Sequence, residues 1–528
     1  MKKTVPALAG IGALAVALTA CGGGGQSPAA GAGPVVEGGT FTYIAGGDPG
    51  NLDPQFTSLS VTIQADKFLY DSLVAIDPKG AEVAGLAEKW EGDTTKAKYT
   101  LRKGVTCSDG TPLTPQLVAD NINFVSDPAH GSSMVGLTVP PGAKATADEA
   151  AGTVSVTSAV PDSFLVRNLG SLPIVCPKGM KDRNILKQGA DGTGQFTVTE
   201  AVAGDHYTFT RRKDYKWGPG TSSDEKGLPD KVVLRVVGNE TTAANLVVSK
   251  QVNAAQIVGP DKQRLDGMGL AKVSAETLFG EMWYDQAPGL PTADPAVRRA
   301  LTQALDLGQL GQVLTGGTGK PSTGLVAPGM GPCDHNTITG LLPPLDEAAA
   351  KSTLDSAGWV AGSDGTRAKD GKKLSISFYY PTTLGSTMQA AAELVQQRWT
   401  TIGVQVEVKG MTDAESSQIL AQNSWGAAIV PLTVVLPSQL VPFLSGPGGT
   451  QGNNFAQIKN TEYDAAAKAA SETAGAAGCD KWAEGEKAVV KALNLVPFVN
   501  SVRSYYLQGT KFDQAEGSIV PSSIRMLG

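Results

Sequence analysis

The chain has 528 residues, with 44 basic against 50 acidic side chains, a formal net charge of −6 and a hydrophobic fraction of 41%. That much apolar material excludes a wholly disordered chain, and the acidic balance excludes the basic footprint that nucleic acid requires. The length corresponds to about three or four domain-sized units, and only three histidines (His130, His206, His335) are available for metal sites or histidine-dependent catalysis.

Lys2 and Lys3 precede an apolar run from Val5 to Leu18. That run is too short for a bilayer of roughly 30 Å and reads as the core of a signal peptide covering residues 1–20. It ends at Leu18-Thr19-Ala20-Cys21, which resembles a bacterial lipobox and implies cleavage before Cys21 and acylation of that cysteine. Residues 21–36 are small and uncharged up to Val36, the composition of a flexible tether. More than one acyl chain makes such an anchor stable, so the body is expected on the extracytoplasmic face of a membrane.

Along the body, strands are predicted at Phe41–Ile44, Tyr99–Arg102, Phe196–Thr199, Tyr207–Arg211 and Lys231–Val237. Thr114-Pro115, Asp294-Pro295 and Asp346 each read as a helix start, a capping side chain that in the first two is followed by a first-turn proline. The second of these helices is expected over 295–314, and the third ends near Gly358. Leu374 to Tyr380 alternates, Met388 to Ile402 follows a helical period, and Val404, Val406 and Val408 alternate again. Strand, helix and strand in that order predict a βαβ unit with a parallel pair. The class is therefore α/β with additional antiparallel strands.

Four cysteines besides Cys21 (Cys107, Cys176, Cys333, Cys479) lack the close pairs of a zinc site and read as two disulfides, with three pairings open. No G-x-S-x-G or H-E-x-x-H is present. Gly316-Gly317-Thr318-Gly319-Lys320 has its first glycine misplaced for a phosphate loop and Pro321 where Ser or Thr would bind Mg²⁺, so it reads as a turn after a helix. No catalytic residue, metal site or cofactor is assigned, and the chain is not read as an enzyme.

Five segments in order then resemble the extracellular solute-binding proteins of family 5, the peptide, dipeptide and nickel receptors of ABC importers. These are LRKGVTCSDGTPLTPQLVADNINF from Leu101, GTGQFTVTEAVAGDHYTFTRRKDYKW from Gly192, LPDKVVLRVV from Leu228, DPAVRRALTQALDLGQLGQVLTGG from Asp294 and EAAAKSTLDSAGW from Glu347. The resemblance implies a two-lobed, periplasmic-binding-protein-like clamshell of the type II, large cluster, with an extra subdomain. Lobe 1 is expected at residues 37–280 plus 495–528 and lobe 2 at 281–494. Through that division the resemblance also implies the pairings Cys107–Cys176 and Cys333–Cys479, each within one lobe. It further implies a monomer that captures a small, peptide-like solute between its lobes and delivers it to an ABC permease in the membrane.

Candidate ligand-binding residues follow from the same resemblance. Trp283, Tyr284 and Asp285 stand where the family has a short strand entering lobe 2; the alternative is core packing of a hinge strand. Trp425 lies where an aromatic residue contacts ligand in many members, and Asn453, Asn454 and Phe455 follow a glycine-rich loop. Dipeptide-type members hold the ligand's ammonium with an aspartate shortly after that tryptophan, whereas Gly426 to Thr461 contains no acid here. An ammonium buried without a carboxylate is costly, so an apolar or amino-blocked ligand is expected unless Asp285 or another acid serves as the clamp. Import or sensing of an oligosaccharide or a metal chelate is the competing reading, and a cell-wall hydrolase lipoprotein the more distant one.

Overall fold

The computed structural model describes residues 33–528, apart from Ser58, 220–222 and 423–424. The signal sequence, Cys21 and residues 22–32 of the expected tether lie outside the described residues. Residues 33–36 are docked rather than free: Val36 N–H donates to Met526 O, Gly528 N–H donates to Pro34 O, and Val35 bridges Leu527.

The capping side chains act where the sequence placed them. Thr114 accepts from Leu117 N–H ahead of helix Pro115–Ser126, Asp294 from Ala296 N–H ahead of Pro295–Gln303, and Asp346 from Ala349 N–H ahead of Glu347–Ser356. Each satisfies one of the donors a helix start leaves unbonded. The expected 295–314 helix is two helices, because Asp306 caps a second one, Leu307–Thr315, by accepting from Gln309 N–H. Gly316 then ends it at φ +59°, a left-handed conformation that favours glycine, so the glycines after it form a turn.

An 11-stranded sheet organises most of the molecule. Nine of its strands are Gln405–Met411, Ser375–Pro381, Ala427–Ile429, Ala271–Tyr284, Leu495–Leu507, Ala254–Ile257, Thr40–Ala45, Lys231–Val236 and His206–Arg211, in that order across the sheet. Phe196–Val202 forms one edge, and the short Lys320–Pro321 pairs with Leu495–Leu507. Ser375–Pro381 and Gln405–Met411 are parallel and joined by helix Ser386–Thr401, the βαβ unit read from the sequence.

The two long strands in the middle run antiparallel over nearly their whole length, from Ala271↔Leu507 to Trp283↔Leu495. At one end Leu495–Leu507 also pairs with Ala254–Ile257; at the other Ala271–Tyr284 pairs with Ala427–Ile429. Their register shifts between Leu278 and Gly280 and again between Gly280 and Glu281. A Cβ at Gly280 would lie 2.4 Å from Phe498 and Val499, so only glycine admits this close approach.

A separate four-stranded antiparallel sheet has the order Ala87–Gly92, Lys96–Leu101, Thr153–Thr157, Lys144–Asp148. It packs with helix Pro115–Ser126 around a core that includes Tyr99, Val118, Ile122 and Val154. Half-buried Asp71 ties this unit to later chain by accepting from Thr193 Oγ1, Tyr215 Oη and Trp217 Nε1, each at 3.0 Å. Both disulfides, Cys107–Cys176 and Cys333–Cys479, have the pairing that the resemblance implied. No helix among the described residues is long and apolar enough to cross a membrane.

Candidate functional site

Where the long strand Ala271–Tyr284 reaches the neighbouring strand Ala427–Ile429, a small apolar pocket of about 100 Å³ opens to solvent. Trp283, Trp425, Leu432, Phe443, Asn453 and Phe455 are among its walls. Its two indole donors are already used: Trp283 Nε1 donates to Val430 O and Trp425 Nε1 to Leu420 O, both at 2.9 Å. What the tryptophans present is therefore ring surface, suited to an apolar or aromatic group. Among the described residues, Asn453 brings the one side-chain amide on the wall.

Four of the seven sequence candidates, Trp283, Trp425, Asn453 and Phe455, thus meet in one pocket, and three lie elsewhere. Tyr284 is wholly buried in a different core, with Oη 3.0 Å from Thr302 Oγ1 on helix Pro295–Gln303. Asn454 staples its own loop: Nδ2 donates to Gly446 O and Ile458 O, and Oδ1 accepts from Ile458 N–H. Asp285 is also buried. Its Oδ1 accepts from Ala287 N–H and its Oδ2 has no partner, and burial pushes the carboxyl up to about 7.

Glu281 belongs with the pocket, although the sequence reading did not single it out. It is 1% exposed, its Oε2 accepts from Leu432 N–H at 3.1 Å, and its carbonyl accepts from Val430 N–H. Together with the Trp283–Val430 bond, these contacts clip the wall 430–432 onto the strand. Burial pushes the Glu281 carboxyl up to about 8, and only the donors Leu432 N–H and Trp283 oppose that rise. The signal in the sequence was a lone acid in the otherwise uncharged run Leu278 to Tyr284.

From the four-stranded unit, the segment around Phe164 reaches the same apolar cluster as Trp283 and Trp425. Beside it, Ser163 Oγ donates to Ala470 O at 2.6 Å and accepts from Trp482 Nε1 at 3.1 Å, and Asn168 Nδ2 donates to Ser438 Oγ. The pocket region is thus contacted by two parts of the chain far apart in sequence. Among the described residues no group of three or more His, Cys, Asp and Glu could hold a metal ion.

Residues 82–454 match the family described as bacterial extracellular solute-binding proteins, family 5. The chain belongs to that family. It is 29% identical to Protein XP55 of Streptomyces lividans over 360 residues, which covers 65% of this chain and 62% of that protein. The chain thus spans about three fifths of that relative's length. A substrate-binding protein of Microbacterium hydrocarbonoxydans, solved with 4-hydroxybenzoate hydrazide, superposes at a TM-score of 0.79 and 26% identity, covering 92% of this chain and 99% of that one. The oligopeptide-binding protein AppA of Bacillus subtilis, solved with a nonapeptide, superposes at 0.79 with 18% identity, covering 94% and 100%. The fold is the two-lobed periplasmic-binding-protein arrangement of mixed α/β sheets that the sequence implied. Members of this kind bind solutes and are not enzymes.

Proposed function

We propose that this chain is a lipid-anchored receptor on the extracytoplasmic face of a bacterial membrane, a monomer that captures an apolar or amino-blocked, peptide-like solute and passes it to an ABC permease. Family 5 proteins of ABC importers bind peptides or related ligands. The observation that carries the finer reading is the uncharged pocket of Trp283, Trp425, Leu432, Phe443 and Phe455, with no acid between Gly426 and Thr461. An apolar group gains by leaving water there, whereas an ammonium would meet no acid on the pocket wall itself. We assign lobe 1 to residues up to 280 and from 495, lobe 2 to 281–494, and the anchor to Cys21, with residues 22–32 as spacer. On that division each disulfide lies within one lobe, and a ligand touching both lobes favours closure in proportion to the contacts found only in the closed state.

A non-peptide aromatic solute is the second reading, favoured by the relative bound to 4-hydroxybenzoate hydrazide and by the aromatic walls of the pocket. Native mass spectrometry of the full chain purified without denaturation separates the two. A co-purified mass that fragments as a peptide with a modified amino end supports the proposal; a peptide with a free amino end, or a sugar or chelate, overturns its finer part. Loss of membrane association in Cys21→Ser tests the anchor.

A further inference from the structure

Arg503 lies on strand Leu495–Leu507, opposite Ala275 and two cross-strand pairs from Thr277↔Ser501. Its guanidinium sits over the Phe279 ring, 5.7 Å from the centroid. The side chain is half-buried and its Nε is shut off from solvent without an acceptor. Among the described residues no carboxylate lies within ion-pair distance of it. The hydroxyls of Thr277 and Ser501 are likewise enclosed and without partners. The neighbouring acid Glu276, paired with Val502, is committed to Lys320 and Asn500. A half-buried cation, its Nε enclosed without an acceptor, and two idle hydroxyls thus stand close together on the two long strands.

Leaving an enclosed Nε and two hydroxyls unpaired is unfavourable, and a carboxylate suits a guanidinium's fork of donors. We propose that Arg503, with the hydroxyls of Ser501 and Thr277, binds a carboxylate of the solute. This rests on the receptor reading above and adds to it: the solute carries an anionic group as well as an apolar one. Arg503 supplies the counter-charge and the hydroxyls each donate one hydrogen bond. A cation at this site selects for a free carboxyl group on the solute.

The test uses the purified full-length chain and two probes, N-acetyl-Phe-Leu with a free carboxylate and its carboxamide, titrated calorimetrically into the wild type, Arg503→Gln and Arg503→Met. The acid is expected to bind the wild type about tenfold or more tightly than the amide, as a charge-assisted pair implies. Both variants should bind the two probes alike, at the wild type's affinity for the amide, which also shows that they are folded. Acid binding undiminished in both variants, or no preference in the wild type, overturns the proposal. A second arm is independent of peptides: acetate against chloride at equal ionic strength should raise the melting temperature of the wild type and leave Arg503→Gln unmoved. If acetate discriminates while neither peptide probe binds, the anion site stands and the peptide reading falls. If peptides bind without preference and acetate equals chloride, the site falls and the reading stands.

Discussion

Replacing Glu281 with Gln should make the protein more stable near neutral pH, and the gain should itself depend on pH. In the folded chain burial holds this carboxyl near 8, against an ordinary value of 4.5. Between those values the folded chain keeps a proton that the unfolded chain has lost, so raising the pH favours unfolding. The contribution is nil below 4.5, grows unfavourable through the interval and is flat above 8. At about 1.4 kcal/mol per pH unit, it reaches about 5 kcal/mol at full extent, an upper value because water or a small shift of the wall 430–432 would relieve an ionised carboxylate. Glutamine keeps an oxygen for Leu432 N–H and cannot ionise. Urea midpoints of wild type and Glu281→Gln, measured every half unit from pH 4.5 to 8.5, isolate this one group, because the other buried acids titrate identically in both chains. The curves should lie close together at pH 4.5 and diverge steadily in favour of the glutamine variant. Parallel curves would refute the reasoning, since they would mean that Glu281 is ionised and accommodated throughout.

Three further outcomes are expected. Phe443, half-exposed on the pocket wall, can be cut back to alanine at small cost to the fold; its loss should weaken calorimetric binding of N-acetyl-Phe-Leu about tenfold while shifting the urea midpoint little. Removing the Cys333–Cys479 bond with paired serines opens a loop of 146 residues, and Cys107–Cys176 one of 69, so chain entropy sets losses of up to about 4–5 kcal/mol each, visible as lowered melting temperatures. Ser163→Ala leaves the enclosed Trp482 indole N–H without its acceptor, while Ala470 O keeps Thr473 N–H, a penalty of about 1–3 kcal/mol on the contact. Small-angle scattering of the unliganded protein should then give a larger radius of gyration, and an unchanged profile would show that this contact does not hold the halves together.

Local chemistry was legible in the sequence. Asp294, Thr114 and Asp346 announce helix starts because a short acceptor ahead of a helix has one dominant use, and the alternation of Ile376, Phe378 and Val406, Val408 fixes a parallel pair once a helix lies between. The break at Asp306 was masked because the apolar period of 297–314 continues through it, although Asp306 is itself a capping residue. The strand ending at Tyr284 was expected to be short and is 14 residues long, since its first half, Ala271 to Glu276, is small or polar and is held by pairing with Leu495–Leu507 rather than by its own pattern. Trp283 and Tyr284 were grouped as neighbours in sequence. A strand sends consecutive side chains to opposite faces, so one reaches the pocket and the other Thr302. Phe443 and Leu420 gave no signal, for only the folded chain brings them to Trp425.

The continuous sheet bears on how such a receptor can open. On the proposed division, the halves are joined through the paired strands Ala271–Tyr284 and Leu495–Leu507, which hydrogen-bond to each other almost throughout. Paired strands resist bending where their ladder is regular, so rotation concentrates where it is not, at the register shifts between Leu278 and Glu281. That irregular stretch lies beside Arg503 and Phe279 on one side and leads to Glu281 and Trp283 on the other. A solute held there acts on the point of flexure itself, and a small fixed contact is then converted into a large displacement of the distant edges. At the flexure the enclosed Arg503 Nε and the hydroxyls of Thr277 and Ser501 stand without partners in this structure. On the proposed reading, a carboxylate that pairs them in one conformation and not in another would shift the balance between the two by the difference in those contacts.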